Sequence, residues 1–94
     1  MAYKLVLKPG AENDLLEAIE WHEQQATEGL EVHFYEEVSK VLDDIARYPE
    51  HFQKRYREVR IRFTTRFRYG IHYTLEANTV YVHAIYHTSR RPEK

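Results

Sequence analysis

Ninety-four residues bound the chain to a single domain, residues 1–94, with a modest core. It has no cysteine, which excludes disulfides, thiolate metal sites and thiol nucleophiles, and its few glycines and prolines fit an ordered globular domain. The net charge of −1 conceals an asymmetry: residues 1–50 carry four Lys/Arg against twelve Asp/Glu, and residues 51–94 carry ten against three, eight of the ten being arginine.

The second half is therefore a basic module, and arginine suits a face that grips phosphate or carboxylate. Nothing approaches the ~20 apolar residues of a membrane span. Met1 to Gly10 lacks the apolar core of a secretory signal. A soluble, cytoplasmic protein without membrane contact is the expectation.

In chain order, residues 3–8 (YKLVLK) alternate enough for a short strand, and Pro9 fits the first turn of a helix. Leu15, Ala18, Ile19 and His22 recur at helical spacing, with Glu12, Glu17, Glu20 and Glu23 on the remaining surface. The pattern fades near Ala26, and Thr27-Glu28-Gly29 breaks it. A second helix follows with Leu30, Phe34, Val38, Val41, Leu42 and Ile45 on one face, stopping at Tyr48 because Pro49 disfavours helix before it. So short a connection predicts an antiparallel helical hairpin.

Three strands complete the chain. In Glu58 to Thr64, Val59, Ile61 and Phe63 alternate with Arg60 and Arg62. In Phe67 to Leu75, Phe67, Tyr69, Ile71, Tyr73 and Leu75 share one face, leaving Arg68, Gly70, His72 and Thr74 on the other. Ala77-Asn78 makes a tight turn into Thr79 to His87, where Val80, Val82 and Ala84 alternate. The expected fold class is α+β, in the order β-α-α-β-β-β. A helical hairpin packs on one face of a small, mainly antiparallel four-stranded sheet and leaves an arginine-bearing face partly open.

Metal, triad and nucleotide chemistries find little support. His83 and His87, read as lying on one side of a regular strand, stand ~13 Å apart and cannot share an ion. No glycine-rich phosphate loop and no glycine-flanked nucleophile occur, so no cofactor is expected. What remains is arginine, histidine and tyrosine on a sheet. Metal-free RNA cleavage needs a base for the 2′-OH, cations for the pentacovalent phosphate and an acid for the leaving oxygen. His87 is the candidate acid or base. Arg60, Arg62, Arg66, Arg68, Arg90 and Arg91 are the candidate cations, and Tyr69, Tyr73 or Tyr86 can stack on a base. Each also has a plain structural explanation: Tyr69 and Tyr73 as core, Arg60 and Arg62 as solvent-facing, His87 as a satisfied strand-end histidine.

The order and spacing of several pieces resemble the RelE/ParE superfamily of toxins from bacterial type II toxin–antitoxin systems, often called plasmid stabilisation proteins. The pieces are Ala11-x-x-Asp14-Leu15, Glu17-Ala18-Ile19-Glu20-Trp21, Gly29-Leu30, the run Phe34, Val38, Leu42, Ile45 to Pro49, and then Phe52. They continue with Val59-Arg60, Arg66-Phe67-x-Tyr69-x-Ile71-x-Tyr73 and Ala84-Ile85-Tyr86-His87-x-x-Arg90-Arg91-Pro92. The resemblance implies the β-α-α-β-β-β fold and a growth-inhibiting toxin. It also implies a cognate antitoxin protein that binds the toxin, with homo- or hetero-oligomers of the pair.

The target divides the superfamily. RelE-like members cut messenger RNA in the ribosome, and ParE-like members poison DNA gyrase without nuclease residues. The first reading is a ribosome-dependent mRNA interferase, an endoribonuclease in which Arg60, Arg66 and Arg90 hold phosphates and His87 is acid or base. The alternatives are a gyrase-binding toxin and an inactive member that only binds its antitoxin. At the place where the cleaving branch often carries a phosphate-stabilising arginine, this chain has Gly70.

Overall fold

The computed structural model describes residues 3–89. The elements are β1 (Lys4–Leu7), α1 (Pro9–Glu23), α2 (Leu30–Arg47), a single 3-10 turn (Pro49–His51), β2 (Lys54–Tyr56), β3 (Val59–Phe63), β4 (Tyr69–Glu76) and β5 (Thr79–His87). Proline and glycine punctuate them as expected. Pro9 opens α1, and Tyr48 caps α2 just before Pro49. Gly29 adopts φ 80°, a left-handed turn open to glycine at little cost, from which its carbonyl accepts the first amides of α2, those of Val32 and His33.

The sheet is mixed and five-stranded, in the order β1-β5-β4-β3-β2, with β1 parallel to β5 and every other pair antiparallel. The expected count of four is thus one short. The added strand, β2, is a three-residue edge piece whose residues Lys54, Arg55 and Tyr56 are all exposed. Backbone pairing to β3 (Lys54↔Arg60, Tyr56↔Val59) creates it, and no apolar alternation announces it. Its charged side chains suit an exposed sheet edge.

The helical hairpin covers one sheet face. Ala11, Leu15 and Ala18 of α1 and Phe34, Val38, Val41 and Ile45 of α2 meet Ile71, Tyr73, Val80, Val82 and Ile85 in one core. The β4–β5 register contains a break that decides what lies where. Tyr73 faces Val82 and His72 faces Ala84, so His83 is an extra residue on β5, a β-bulge. Beyond it the alternation of β5 inverts, and Ile85 rather than Ala84 joins the core. His83 turns away from the helices to Thr74, Nε2 lying 2.8 Å from Oγ1, whereas His87 stands opposite Tyr69 on the helix side. The two histidines therefore occupy opposite faces of the sheet and not one, as a regular strand would have placed them.

Pairing of β3 reverses a second expectation. Arg60 is opposite Tyr73 and Arg62 opposite Ile71, both core residues, so these arginines lie on the helix side. Ile61 and Phe63, opposite His72 and Gly70, form the open face. Arg60 Nη1 donates to the Phe52 carbonyl at 2.6 Å. The Arg62 guanidinium sits 4.9 Å from the Phe52 ring centre and 3.8 Å from the Asp44 carboxylate on α2. At the sheet margin the helix layer ends, and these long side chains close the core with their stems while their heads meet carbonyl and carboxylate.

β1 is shorter than β5 and pairs only with Thr79 to Val82. Beyond it, Asp14 of α1 takes the place of a neighbouring strand, its Oδ2 accepting the Ile85 amide at 3.0 Å. Asp14→Ala leaves that amide without its partner and should lower the unfolding free energy by about 1–3 kcal/mol in urea denaturation. Asp14→Asn, which keeps an acceptor oxygen, should lose less. An alanine variant as stable as the parent would remove this role from Asp14.

Candidate functional site

The open ends of β4 and β5, the second half of α1 and the β3–β4 turn enclose a groove of about 870 Å³. Arg66, Phe67, Tyr69 and His87 form one wall, and Glu17, Trp21 and His22 the other.

The turn that carries Arg66 is built on a single carboxylate. Glu37 of α2 accepts from the amides of Thr65 (2.9 Å) and Arg66 (2.7 Å) on Oε2 and of Phe67 (3.2 Å) on Oε1. Buried Thr64 closes the turn from the other side, its amide bonded to the Tyr69 carbonyl and its Oγ1 to the Tyr69 amide. These bonds explain why β4 starts at Tyr69 and not at Phe67: residues 64–67 spend their amides on Glu37 and on the turn. Arg68 takes φ 61° and its carbonyl accepts the Thr88 amide, which ties the turn to the end of β5.

His87 presents its ring edge-on to Tyr69, centroids 5.3 Å apart. Its Nδ1 accepts the Ser89 amide at 3.1 Å and lies 2.8 Å from Ser89 Oγ, so the neutral ring carries its proton on Nε2. Across the groove His22 is buried, its Nδ1 donating to the Ala18 carbonyl at 2.7 Å. Its ring stacks on Phe34 at 4.5 Å and meets Phe67 edge-on at 5.2 Å.

Of the candidate residues, Arg66 and His87 meet in this groove. Arg60 is held at Phe52 on the helix side near β2, and Arg90 and Arg91 lie outside the described residues. Tyr73 is fully buried, its hydroxyl donating to the Pro49 carbonyl at 2.7 Å. Other residues that shape the groove were legible only in part: periodicity placed His22 on the core stripe, Trp21 entered only through the family resemblance, and nothing singled out Glu37, which holds the turn that carries Arg66.

The opposite sheet face is aromatic. His72 is buried there, with Nδ1 3.0 Å from the Tyr56 hydroxyl and Tyr86 edge-on at 5.2 Å. Burial holds the His72 imidazole below its ordinary pKa, with the Asp14 carboxylate pulling weakly the other way. Burial likewise raises the Tyr56 phenol, helped by Tyr86 and opposed by Arg57. Gly70 lies on this face under Phe63 and Ile61. A Cβ at Gly70 would stand 3.1 Å from the Phe63 ring and 3.2 Å from the Ile61 side chain. Among the described residues no helix is long and apolar enough to cross a membrane, and no group of three or more His, Cys, Asp or Glu is arranged to hold a metal ion.

Residues 5–92 match the family described as ParE toxin of type II toxin-antitoxin system, parDE. The chain belongs to the ParE toxin family. Its fold agrees with the solved structure titled "Chromosomal ParDE TA system from P. aeruginosa", at a TM-score of 0.79 and 10% sequence identity, over 92% of this chain and 96% of that one. Comparison with curated proteins returns no sequence match. At that identity the structural likeness establishes the fold of this ParE-family chain: two helices on a mixed sheet.

Proposed function

We propose that this ParE-family chain is the toxin of a type II pair that arrests growth by binding DNA gyrase in the cytoplasm, is neutralised by a cognate antitoxin, and does not cut RNA. The packing at Gly70 carries the reading. A phosphate-stabilising cation at that place would have to displace the Phe63 ring and the Ile61 side chain, which already fill it. Arg60 supports the same conclusion, because its guanidinium serves the Phe52 carbonyl on the other side of the sheet. A binding toxin needs a stable surface and no acid–base pair.

One observation favours the mRNA-cleaving alternative: Arg66 and His87 line the same groove, and with the Ser89 amide on Nδ1 the neutral His87 ring carries its proton on Nε2. Expression followed by mapping of RNA 5′ ends, beside a supercoiling assay with purified gyrase and purified toxin, separates the two. The expected result is blocked supercoiling with messages intact. New 5′ ends that disappear in His87→Ala and Arg66→Ala, with gyrase unaffected, would overturn the proposal.

A further inference from the structure

Residues 54–75 carry seven Lys/Arg and a single carboxylate, Glu58. The fold occupies four of those cations. Arg60 and Arg62 lie on the helix side, the Arg66 guanidinium stands over the Phe67 ring beside the groove, and Lys54 holds Glu58 at 2.8 Å. Arg55, Arg57 and Arg68 are left. All three are exposed, and among the described residues no ion pair joins them to a carboxylate.

These charges border the sheet face that the helices leave open. There the Phe63 ring packs down on Gly70, where a Cβ would stand 3.1 Å from it, yet Phe63 remains 38% exposed. The Arg55 guanidinium lies 5.7 Å from the Phe63 ring centre. Tyr56, 43% exposed, has its hydroxyl 3.0 Å from Nδ1 of buried His72, which fixes the ring on the same face. Arg57 follows Tyr56 in the β2–β3 turn, and Arg68 precedes Tyr69 in the β3–β4 turn. Held aromatic rings with cations beside them are the parts of a stacking platform, in which rings take the flat faces of bases and cations take phosphates.

We infer that this open face binds a single-stranded polynucleotide, with bases on Phe63 and Tyr56 and phosphates on Arg55, Arg57 and Arg68. Charge complementarity selects a polyanion, and the rings select which one. An acidic peptide would use the three cations and leave both rings idle, and a duplex has already stacked its base faces on one another. DNA and RNA strands share the chemistry the face reads, a phosphodiester chain with free base faces. The inference goes beyond the gyrase reading and is compatible with a toxin that does not cut RNA. His87 stands on the helix side of the sheet and lines the groove with Arg66, so a strand on the open face is not presented to them.

The test is fluorescence anisotropy, with the full chain titrated into short labelled oligothymidylate, oligouridylate, a duplex of equal length and a glutamate-rich peptide. Both single strands should bind saturably at low salt, and the duplex and the peptide about tenfold or more weakly. The log–log slope of affinity against salt should be near −2, about 0.7 for each of three phosphate contacts. Phe63→Ala and Tyr56→Ala should each weaken binding about fivefold or more. Arg55→Ala should flatten the salt slope by about 0.7, and Lys40→Ala, on α2, should change neither quantity. If a ring variant does not fold, Arg55→Ala and its salt slope decide. Binding of only one of the two strands supports the face and names the polymer it takes. No binding, equal binding of duplex or peptide, or unaltered binding by the folded variants would each overturn the inference. The titration contains no gyrase, so its failure leaves the toxin reading standing, and a failed supercoiling assay leaves the platform standing.

Discussion

Alanine at position 73 is expected to cost about 3–5 kcal/mol of unfolding free energy, enough to threaten folding of so small a domain. Tyr73 is the largest fully buried side chain, at the centre of β4, opposite Val82 on one side and Arg60 on the other. Tyr73→Phe keeps the ring and removes only the hydroxyl bond to the Pro49 carbonyl, so its cost should be about 1–2 kcal/mol. The phenol also has a pH signature. Burial pushes it from 10.0 up to about 12, against the opposing pull of Arg60 and Arg62. A raised folded-state value means that its stabilisation is complete below pH 10 and is lost as pH rises from about 10 to about 12, by roughly 2–3 kcal/mol. Measured across that window, the stabilities of parent and Tyr73→Phe should converge and then cross, because the alkaline loss exceeds the gap at neutral pH. A constant gap between them would show that the phenol does not titrate as its burial requires.

Glu37→Ala is the second change with a large effect, about 2–3 kcal/mol, because one carboxylate serves three backbone amides. Two of those amides belong to exposed residues that water can reach after the substitution, which keeps the cost from being threefold. The more telling consequence is local. Hydrogen exchange at Thr65, Arg66 and Phe67 should accelerate well beyond that of the β4 core, and Arg66 should lose its fixed place at the groove. Glu37→Gln, with one acceptor oxygen left, should fall between. Unchanged exchange at the three amides in Glu37→Ala would show that the turn holds itself.

Both predictions concern residues whose weight sequence reading valued unevenly. Tyr73 sat on the apolar face of an alternating strand, and its burial followed from periodicity alone. Glu37 sat among twelve acidic residues of the first half and looked like any other. Its partners are backbone amides some thirty positions later, a contact with no local signature.

Read alone, the chain yielded the order of every strand and α-helix except β2, the start of α1 at Pro9, the limits of α2 at Gly29 and Pro49, the span of β5, the tight turn at Ala77-Asn78 and most of the core, while it carried α1 about three residues past its end at Glu23. These are local matters, set by backbone stiffness and by apolar spacing within one element. Which set of β3 side chains faces the helices depends on long-range pairing, because alternation defines two faces without saying which is covered. Register with β4 chose Arg60 and Arg62 for the helix side, where Phe52 and Asp44 could receive their charges, and left Ile61 and Phe63 to close over Gly70. The bulge at His83 then moved His87 onto the same side as Arg66 and His22, and so made a groove from residues that alternation had assigned to different faces. Hydrogen bonding between strands distant in sequence fixes such choices, and a one-residue shift in pairing reverses every side chain beyond it.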